Sequence, residues 1–268
     1  MSDRPDPDQN SLVRERFTRT AEAFAKTTVS MRAGEGEKIV QLAQAQPEDI
    51  GLDLACGPGT FAIPLAHRTR QAIGLDLTPA FLSLARKRAG EKGVENLWLL
   101  CADATAIPIR DKSIHVAVSG YSFHHMKDPL RALGELARVV VPGGRVALVD
   151  LYTPEGFDPG VNDRIERVRD ASHCHTFTRA EFCQAVEQAG FRIHSMELHE
   201  DPRRFSQWMH IAGWKPDDPV WREVRRLMEK ELTEDASGFH PRTVAADGPG
   251  EPEIEFTHSC IFLAATRT

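Results

Sequence analysis

Residues 50–62 read Ile-Gly-Leu-Asp-Leu-Ala-Cys-Gly-Pro-Gly-Thr-Phe-Ala, and this stretch decides the fold. An apolar run carrying one acid, Asp53, leads into Gly57-Pro58-Gly59 and then into a helix-forming segment. Glycines at such a turn let the backbone approach a ligand where a Cβ would clash, and the helix start offers N–H groups with no intrahelical partner. Pro64 has no N–H and is tolerated only in the first turn of that helix, so it fixes where the turn ends. A glycine turn alone is equally a plain connection; its meaning depends on what surrounds it.

Moving outward, apolar runs at 50–55, 72–77, 97–101, 114–119 and 145–151 read as strands, and capped helical segments separate them. Thr78-Pro79 and Asp128-Pro129 each set a capping side chain before a proline at the first helical position. The helix after Asp128 carries Leu130, Leu133, Ala137 and Val140 on one face and stops at Pro142-Gly143-Gly144. Thr178 and Glu181 form a capping box ahead of Phe182, Ala185, Val186 and Ala189, with Gly190 as the stop. Five such alternations imply parallel strands with right-handed crossovers, hence an α/β, Rossmann-like doubly wound sheet. A sixth strand is expected near 191–198. A helical insert at 203–233 and a Gly/Pro-rich stretch at 236–252 then lead to a last strand, 253–266. No ordinary crossover precedes that strand, so it is predicted to be antiparallel, the seventh of the sheet, closing the edge against strand six. A separate helix, 11–30, precedes the sheet and carries Leu12, Phe17, Ala21 and Phe24 at helical spacing.

The strand tips carry the chemistry. Strand two ends at Gly74-Leu75-Asp76-Leu77, with Asp76 19 positions beyond Gly57. An acid there is placed to accept hydrogen bonds from ribose hydroxyls. Strand three ends at Cys101-Ala102-Asp103-Ala104, which sets a third carboxylate along the same sheet edge. Ligands of open α/β sheets bind at this edge, where the winding reverses. A dinucleotide would bring a pyrophosphate to the glycine turn, where Asp53 would repel it. A nicotinamide-dependent oxidoreductase is therefore the weaker reading of the turn.

Composition excludes other classes. Of the 268 residues 41% are hydrophobic and 27% charged, an ordinary globular balance. The net charge of −6 provides no electrostatic footprint for nucleic acid or an anionic membrane. Strand four leads into Ser119-Gly120-Tyr121-Ser122, which differs from the Asn/Asp-Pro-Pro-aromatic signature of amino-directed DNA methylases, and no Pro-Cys pair occurs. No apolar run approaches the ~18 residues a membrane span needs. Five scattered cysteines, an odd number with no CxxC pair, fit free thiols in a reducing, cytoplasmic setting. His173-Cys174-His175 lacks a further ligand pair at metal-site spacing, so no metal is expected.

Five segments together resemble the class I S-adenosylmethionine-dependent methyltransferases, in particular the methyltransferase type 11 or ubiquinone/menaquinone-methylase-like group. They are Asp53–Gly59, Gly74–Asp76, Asp103–Pro108, Ser122–Met126 and Leu136–Gly144, and the likeness spans roughly 12–198. The resemblance implies S-adenosylmethionine as cofactor and S-adenosylhomocysteine as product. It implies that Asp53 and the turn of Ala55, Gly57 and Gly59 hold the methionine moiety. Asp76 would take the ribose hydroxyls, Leu77 would lie beside the adenine, and Asp103 with Ala104 would hold its edge. Ser119 would face the sulfonium. Phe24 stands where related enzymes often carry a tyrosine over the cofactor, and offers a ring without the hydroxyl. Physical chemistry agrees, because a ligand cationic at sulfur tolerates a carboxylate-lined pocket.

On this reading residues 1–268 are one methyltransferase unit: a helical lid over 1–30, a cofactor-binding core over 31–199, an insert over 200–252 and the final strand over 253–268. The acceptor is expected to be a small organic molecule methylated at oxygen, with no nucleic acid and no membrane insertion. A protein that binds the cofactor without catalysis is the alternative. His124 and His125 follow strand four, and Asp150 ends the neighbouring strand five. Either histidine with Asp150 is a candidate general base, and an ionisation near pH 6–7 is expected of it. In the insert, Phe205, Trp208 and Ala212 define one helix face; packing on the sheet edge is the expectation, and a roof over the acceptor pocket the alternative.

Overall fold

Each of the first four strands is followed by a segment that returns across the sheet, so they stack in parallel with the fifth. In the computed structural model, which describes residues 8–245 and 252–268, these are β1 (Ile50–Leu54), β2 (Gln71–Asp76), β3 (Leu97–Cys101), β4 (Ile114–Gly120) and β5 (Val140–Leu151). Expectations for 1–7 and 246–251, at the polar N-terminus and within the Gly/Pro-rich stretch, lie outside the described residues. Helices α1 (Gln9–Met31) and α2 (Ala33–Leu42) precede the sheet; α3 (Ala62–Arg68), α4 (Pro79–Glu91) and α5 (Pro129–Val139) lie between its parallel strands. Then come α6 (Pro159–Arg169), α7 (Arg179–Gln188), β6 (Phe191–Arg204), α8 (Phe205–Ile211), α9 (Pro219–Glu234), β7 (Arg242–Val244) and β8 (Glu253–Arg267).

The strand order is β3-β2-β1-β4-β5-β8-β6, with the three-residue β7 pairing onto β8. The winding reverses between β1 and β4, which are hydrogen-bonded neighbours. One expectation needs correction. The last strand is antiparallel and pairs with β6, but it does not close the edge: β8 lies between β5 and β6 and bonds to both. The burial pattern gives the reason. From His258 to Ala265 every residue of β8 is buried, as an interior strand requires, whereas β6 has a long exposed run and is rich in charge. An edge strand with charged side chains resists pairing with other chains.

Two apolar layers sandwich the sheet. One joins Leu52, Leu54, Val146 and Leu148 to Phe123, Leu133 and Phe182; the other joins Val116, Val118 and Phe262 to Ile39 of α2 and Leu65 of α3. The capping box forms, with Thr178 N donating to Glu181 Oε2 at 2.7 Å and Glu181 N to Thr178 Oγ1 at 3.2 Å. Asp128 caps α5 through Arg131 N. Thr78 precedes α4 as expected, but its hydroxyl makes no capping bond; instead Asp76 Oδ1 accepts the Thr78 N–H at 2.8 Å. The insert helices share a third cluster, in which Phe205, Trp208, Trp221 and Met228 pack with Ile165 of α6 and Phe256 of β8.

Candidate active site

A cavity of about 500 Å³ opens where β1, β2 and β4 end, at the reversal of the winding. Its floor is the glycine turn. Gly57 has φ +51°, and a Cβ added there would meet nothing within 4 Å, so its bare side faces open space. Ala55 also holds a left-handed φ, 59°, unusual for a residue with a side chain. Strain of this kind concentrates where a site needs an unusual backbone. Gly59, at φ +80°, turns inward instead, where an added Cβ would stand 3.2 Å from Ala85 Cβ.

The tip of β2 is tied to this floor. Asp76 Oδ2 accepts the Gly57 N–H at 2.8 Å, while Oδ1 holds Thr78 N. Asp103 Oδ1 accepts both the N–H and the hydroxyl of Thr105 at 2.8 Å, and Oδ2 accepts Asn10 Nδ2 of α1 at 2.6 Å. Burial works to raise the Asp103 carboxyl, but the Thr105 and Asn10 hydrogen bonds outweigh it and hold the group below its usual range. Asp53 is fully buried one layer behind the wall, and both its oxygens lack a hydrogen-bond partner among the described residues. Burial, then the charge of Asp76, pushes its carboxyl well above the ordinary value.

Helix α1 covers the cavity. Val13, Phe17, Phe24 and Thr28 line it, and Phe17 and Phe24 lie edge to face at 5.5 Å with Phe81 of α4 close to both rings. Of the residues singled out from sequence, Phe24, Ala55, Gly57, Asp76, Leu77, Asp103, Ala104 and His125 line the cavity. Asp53, Gly59, Ser119, His124 and Asp150 stand behind it. Ser119 Oγ donates to Leu54 O at 2.6 Å and lies 2.9 Å from Ser122 Oγ, and Ser122 reaches the wall.

The two histidines divide the properties expected of one. His124 Nδ1 contacts Asp150 Oδ1, and although burial disfavours the imidazolium, Asp150 outweighs it and raises the ring above its usual range. His125 lines the cavity but meets Ser172 in place of Asp150, through Ser172 O at 3.1 Å and Oγ at 3.2 Å. Burial, then the neighbouring His124, brings its pKa down to about 3. The ionisation near 6–7 expected from sequence is therefore displaced by the surroundings. His173 Nε2 and His175 Nδ1 both turn to Asp163, each at 2.8 Å, and so shape the loop before α7.

Sequence reading missed Arg32 and Tyr121. Arg32 follows directly on α1, and its guanidinium carbon lies 3.3 Å from the Tyr121 ring centroid; both residues line the cavity. Tyr121, with φ 55°, comes immediately after β4. Its position just past a strand tip was the available signal. None of residues 203–233 lines the cavity, so the insert packs on the sheet rather than over it. No helix among the described residues is long and apolar enough to cross a membrane.

Comparison with known proteins finds similarity to methyltransferases. A family model described as a methyltransferase domain matches residues 52–148. The uncharacterized methyltransferase YcgJ of Bacillus subtilis is 28% identical over 204 residues, covering 75% of this chain and 80% of that protein. Its crystal structure superposes with a TM-score of 0.78 at 24% identity, over 87% of this chain and 98% of the other. The demethylmenaquinone methyltransferase of Thermus thermophilus is 35% identical over 119 residues, 44% of this chain and 54% of that enzyme. The geranyl diphosphate C-methyltransferase of Streptomyces coelicolor, solved with S-adenosyl-L-homocysteine, shares the fold with a TM-score of 0.62 at 14% identity, over 92% of this chain and 84% of the other. Together these likenesses support a class I S-adenosylmethionine-dependent methyltransferase enzyme, with the matched methyltransferase domain at residues 52–148.

Proposed function

We propose that this enzyme transfers the methyl group of S-adenosylmethionine to a hydroxyl of a small organic acceptor. The observation that carries the reading is the cavity itself, lined by the carboxylates at the tips of β2 and β3 and by a histidine held neutral. When bound, the cofactor supplies an electrophilic methyl on a sulfonium and leaves as S-adenosylhomocysteine. The donor set fits it. Asp76 uses one acceptor position on each oxygen for the backbone, and a carboxylate has about four, so two stay open to ribose hydroxyls. The unpartnered Asp53 carboxylate, with Ala55, Gly57 and Gly59 shaping the floor, suits a cationic ammonium group nearby. Leu77, Asp103 and Ala104 serve the adenine, and Phe24 covers the cofactor. Ser119 acts through Ser122, the hydroxyl that reaches the wall. Arg32 meets the cofactor's carboxylate, which repays a cation held in an apolar wall.

The acceptor's hydroxyl donates to His125. With a pKa near 3 the ring is a weak base, so it orients the oxygen and receives the proton once the new C–O bond has formed. His124 and Asp150 hold the turn that carries it. We take 1–268 as one methyltransferase unit: α1 as lid, 31–199 as the cofactor core, 200–252 as an insert that braces the sheet, and 253–268 as the final strand. That all the strands among the described residues join one sheet supports this division. Release of S-adenosylhomocysteine across a panel of hydroxylated acceptors tests the reading. Demethylmenaquinone, for which the Thermus relative is named, offers a ring carbon and is run beside the panel as the carbon acceptor. Release only with carbon or amine acceptors would overturn the assignment to oxygen.

A further inference from the structure

His125 is joined to α1 by a chain of buried polar contacts. Arg16 of α1 is buried, and its Nε donates to Asp170 Oδ2 at 3.0 Å. Asp170 Oδ1 accepts the Ser172 hydroxyl at 2.6 Å and the Ser172 N–H at 3.0 Å. Ser172, fully buried, presents its carbonyl and hydroxyl oxygens to His125 Nδ1. From the helix start, Gln9 Nε2 donates to Ser172 O at 2.7 Å and to His125 O at 2.9 Å. Phe17 stands edge-on to the His125 ring at 5.1 Å.

This geometry selects a tautomer. A carbonyl oxygen only accepts, so the Nδ1 facing Ser172 O carries the proton of the neutral ring. Nε2, on the other edge, has no hydrogen-bond partner among the described residues and is left as the ring's accepting atom. The loop that dictates this is held by Arg16, and Arg16 belongs to the helix over the cavity. A buried cation at that interface is stabilised only while its partner is in place, so the pair makes docking of α1 specific.

We propose that Arg16, Asp170 and Ser172 form a positioning relay through which docked α1 fixes His125 as the Nδ1–H tautomer, with Nε2 bare for a donor in the cavity. This deepens the proposed function and rests on it only for the identity of that donor, an acceptor hydroxyl. Undocking α1 removes the loop's anchor and lets water reach the ring, so the acceptor-facing lone pair is presented only when the cofactor is covered. The charged and titratable groups around the ring are His124, His173 and Asp170, with Arg16 behind Asp170, and Asp103, Lys127 and Asp128 share the cavity wall.

Nitrogen NMR of the full chain labelled with ¹⁵N-histidine, with His125 assigned from the His125→Ala spectrum, tests the relay without any acceptor. At pH 7 the wild-type ring should show a protonated Nδ1 and a bare Nε2 and should not titrate near 6.5, the ordinary value. A protonated Nε2, or titration near that value, would overturn the proposal. In Arg16→Met the ring should become a tautomer mixture with its midpoint raised by about two pH units or more toward the free value, and Arg16→Lys should recover part of the wild-type behaviour. An unchanged His125 in Arg16→Met would make the ion pair a local brace and end the relay. If the relay holds while His125→Ala leaves methyl transfer to the identified acceptor intact, the proposed role of His125 toward the acceptor hydroxyl fails and the relay stands.

Discussion

His124 Nδ1 lies 2.5 Å from Asp150 Oδ1, and the other oxygen of the same carboxylate accepts the N–H groups of Phe123 and Ser122. The tip of β5 thus organises the turn that follows β4 and aims its neighbour, His125, at the cavity. Breaking a buried pair by neutralising one partner costs about 3–5 kcal/mol, so Asp150→Asn should lower the melting temperature by several degrees or more.

The cost should depend on pH in a definite way. The folded His124 value is raised above 6.5, so its contribution is complete below 6.5 and is lost as pH rises through the folded value. The folded Asp150 value is depressed below 3.8, so its contribution is complete above 3.8 and is lost as pH falls through the folded value. Scanning calorimetry should find the gap between wild type and Asp150→Asn widest at about pH 4–6.5 and narrower on either side. A gap independent of pH would show that the pair carries no charge in the folded chain.

Gly120→Ala probes the wall at the end of β4. The added Cβ would stand 2.0 Å from Phe61 Cε2 and 2.8 Å from Val149 Cγ1, so the Phe61 ring must shift within the cavity wall. Overpacking of this kind costs about 1–3 kcal/mol. Both the melting temperature and S-adenosylhomocysteine affinity should fall. Retention of both at wild-type levels would contradict the packing described here.

Trp208→Ala separates brace from roof. Trp208 is buried among Phe205, Phe239 and Phe256, away from the cavity, and its loss should cost about 3–5 kcal/mol of stability. S-adenosylhomocysteine affinity at a temperature where the variant stays folded should match wild type. A tenfold loss there would return the insert to the pocket.

The readable parts of the sequence were those whose physics is local. Gly57, Asp76 and Asp103 fall at turns and strand tips that periodicity and capping residues mark directly, and all three line the cavity. The relation of β8 to β5 was hidden because strand order depends on pairing between distant segments; Leu148 and Leu263 carry no sign of each other. The partners of His125 were hidden for the same reason, since Ser172 lies 47 residues away on a loop behind α6. Asp150 and the two histidines fall at neighbouring strand ends, but that only His125 faces the cavity depends on a 3₁₀ turn over Phe123–His125 that no spacing rule reveals.

Arg32 was missed from sequence and supplies its own test. Its loss should weaken S-adenosylhomocysteine binding by about tenfold, the effect of removing one charge-assisted hydrogen bond of about 1.5–3 kcal/mol, and Arg32→Lys should recover part of it. Wild-type affinity in Arg32→Ala, measured by calorimetry, would leave Arg32 a partner of Tyr121 and Glu35 only within the protein.

Asp76 bears most directly on the claim that this cavity holds the cofactor. Titration calorimetry of S-adenosylhomocysteine into wild type and Asp76→Ala, with melting curves to confirm that both are folded, is the decisive measurement. Two charge-assisted hydrogen bonds to ribose hydroxyls, each about 1.5–3 kcal/mol, require wild type to bind at one site and the variant to bind at least about tenfold more weakly. Equal affinity in a folded Asp76→Ala would contradict the account, because the carboxylate at the tip of β2 would then not touch the ligand.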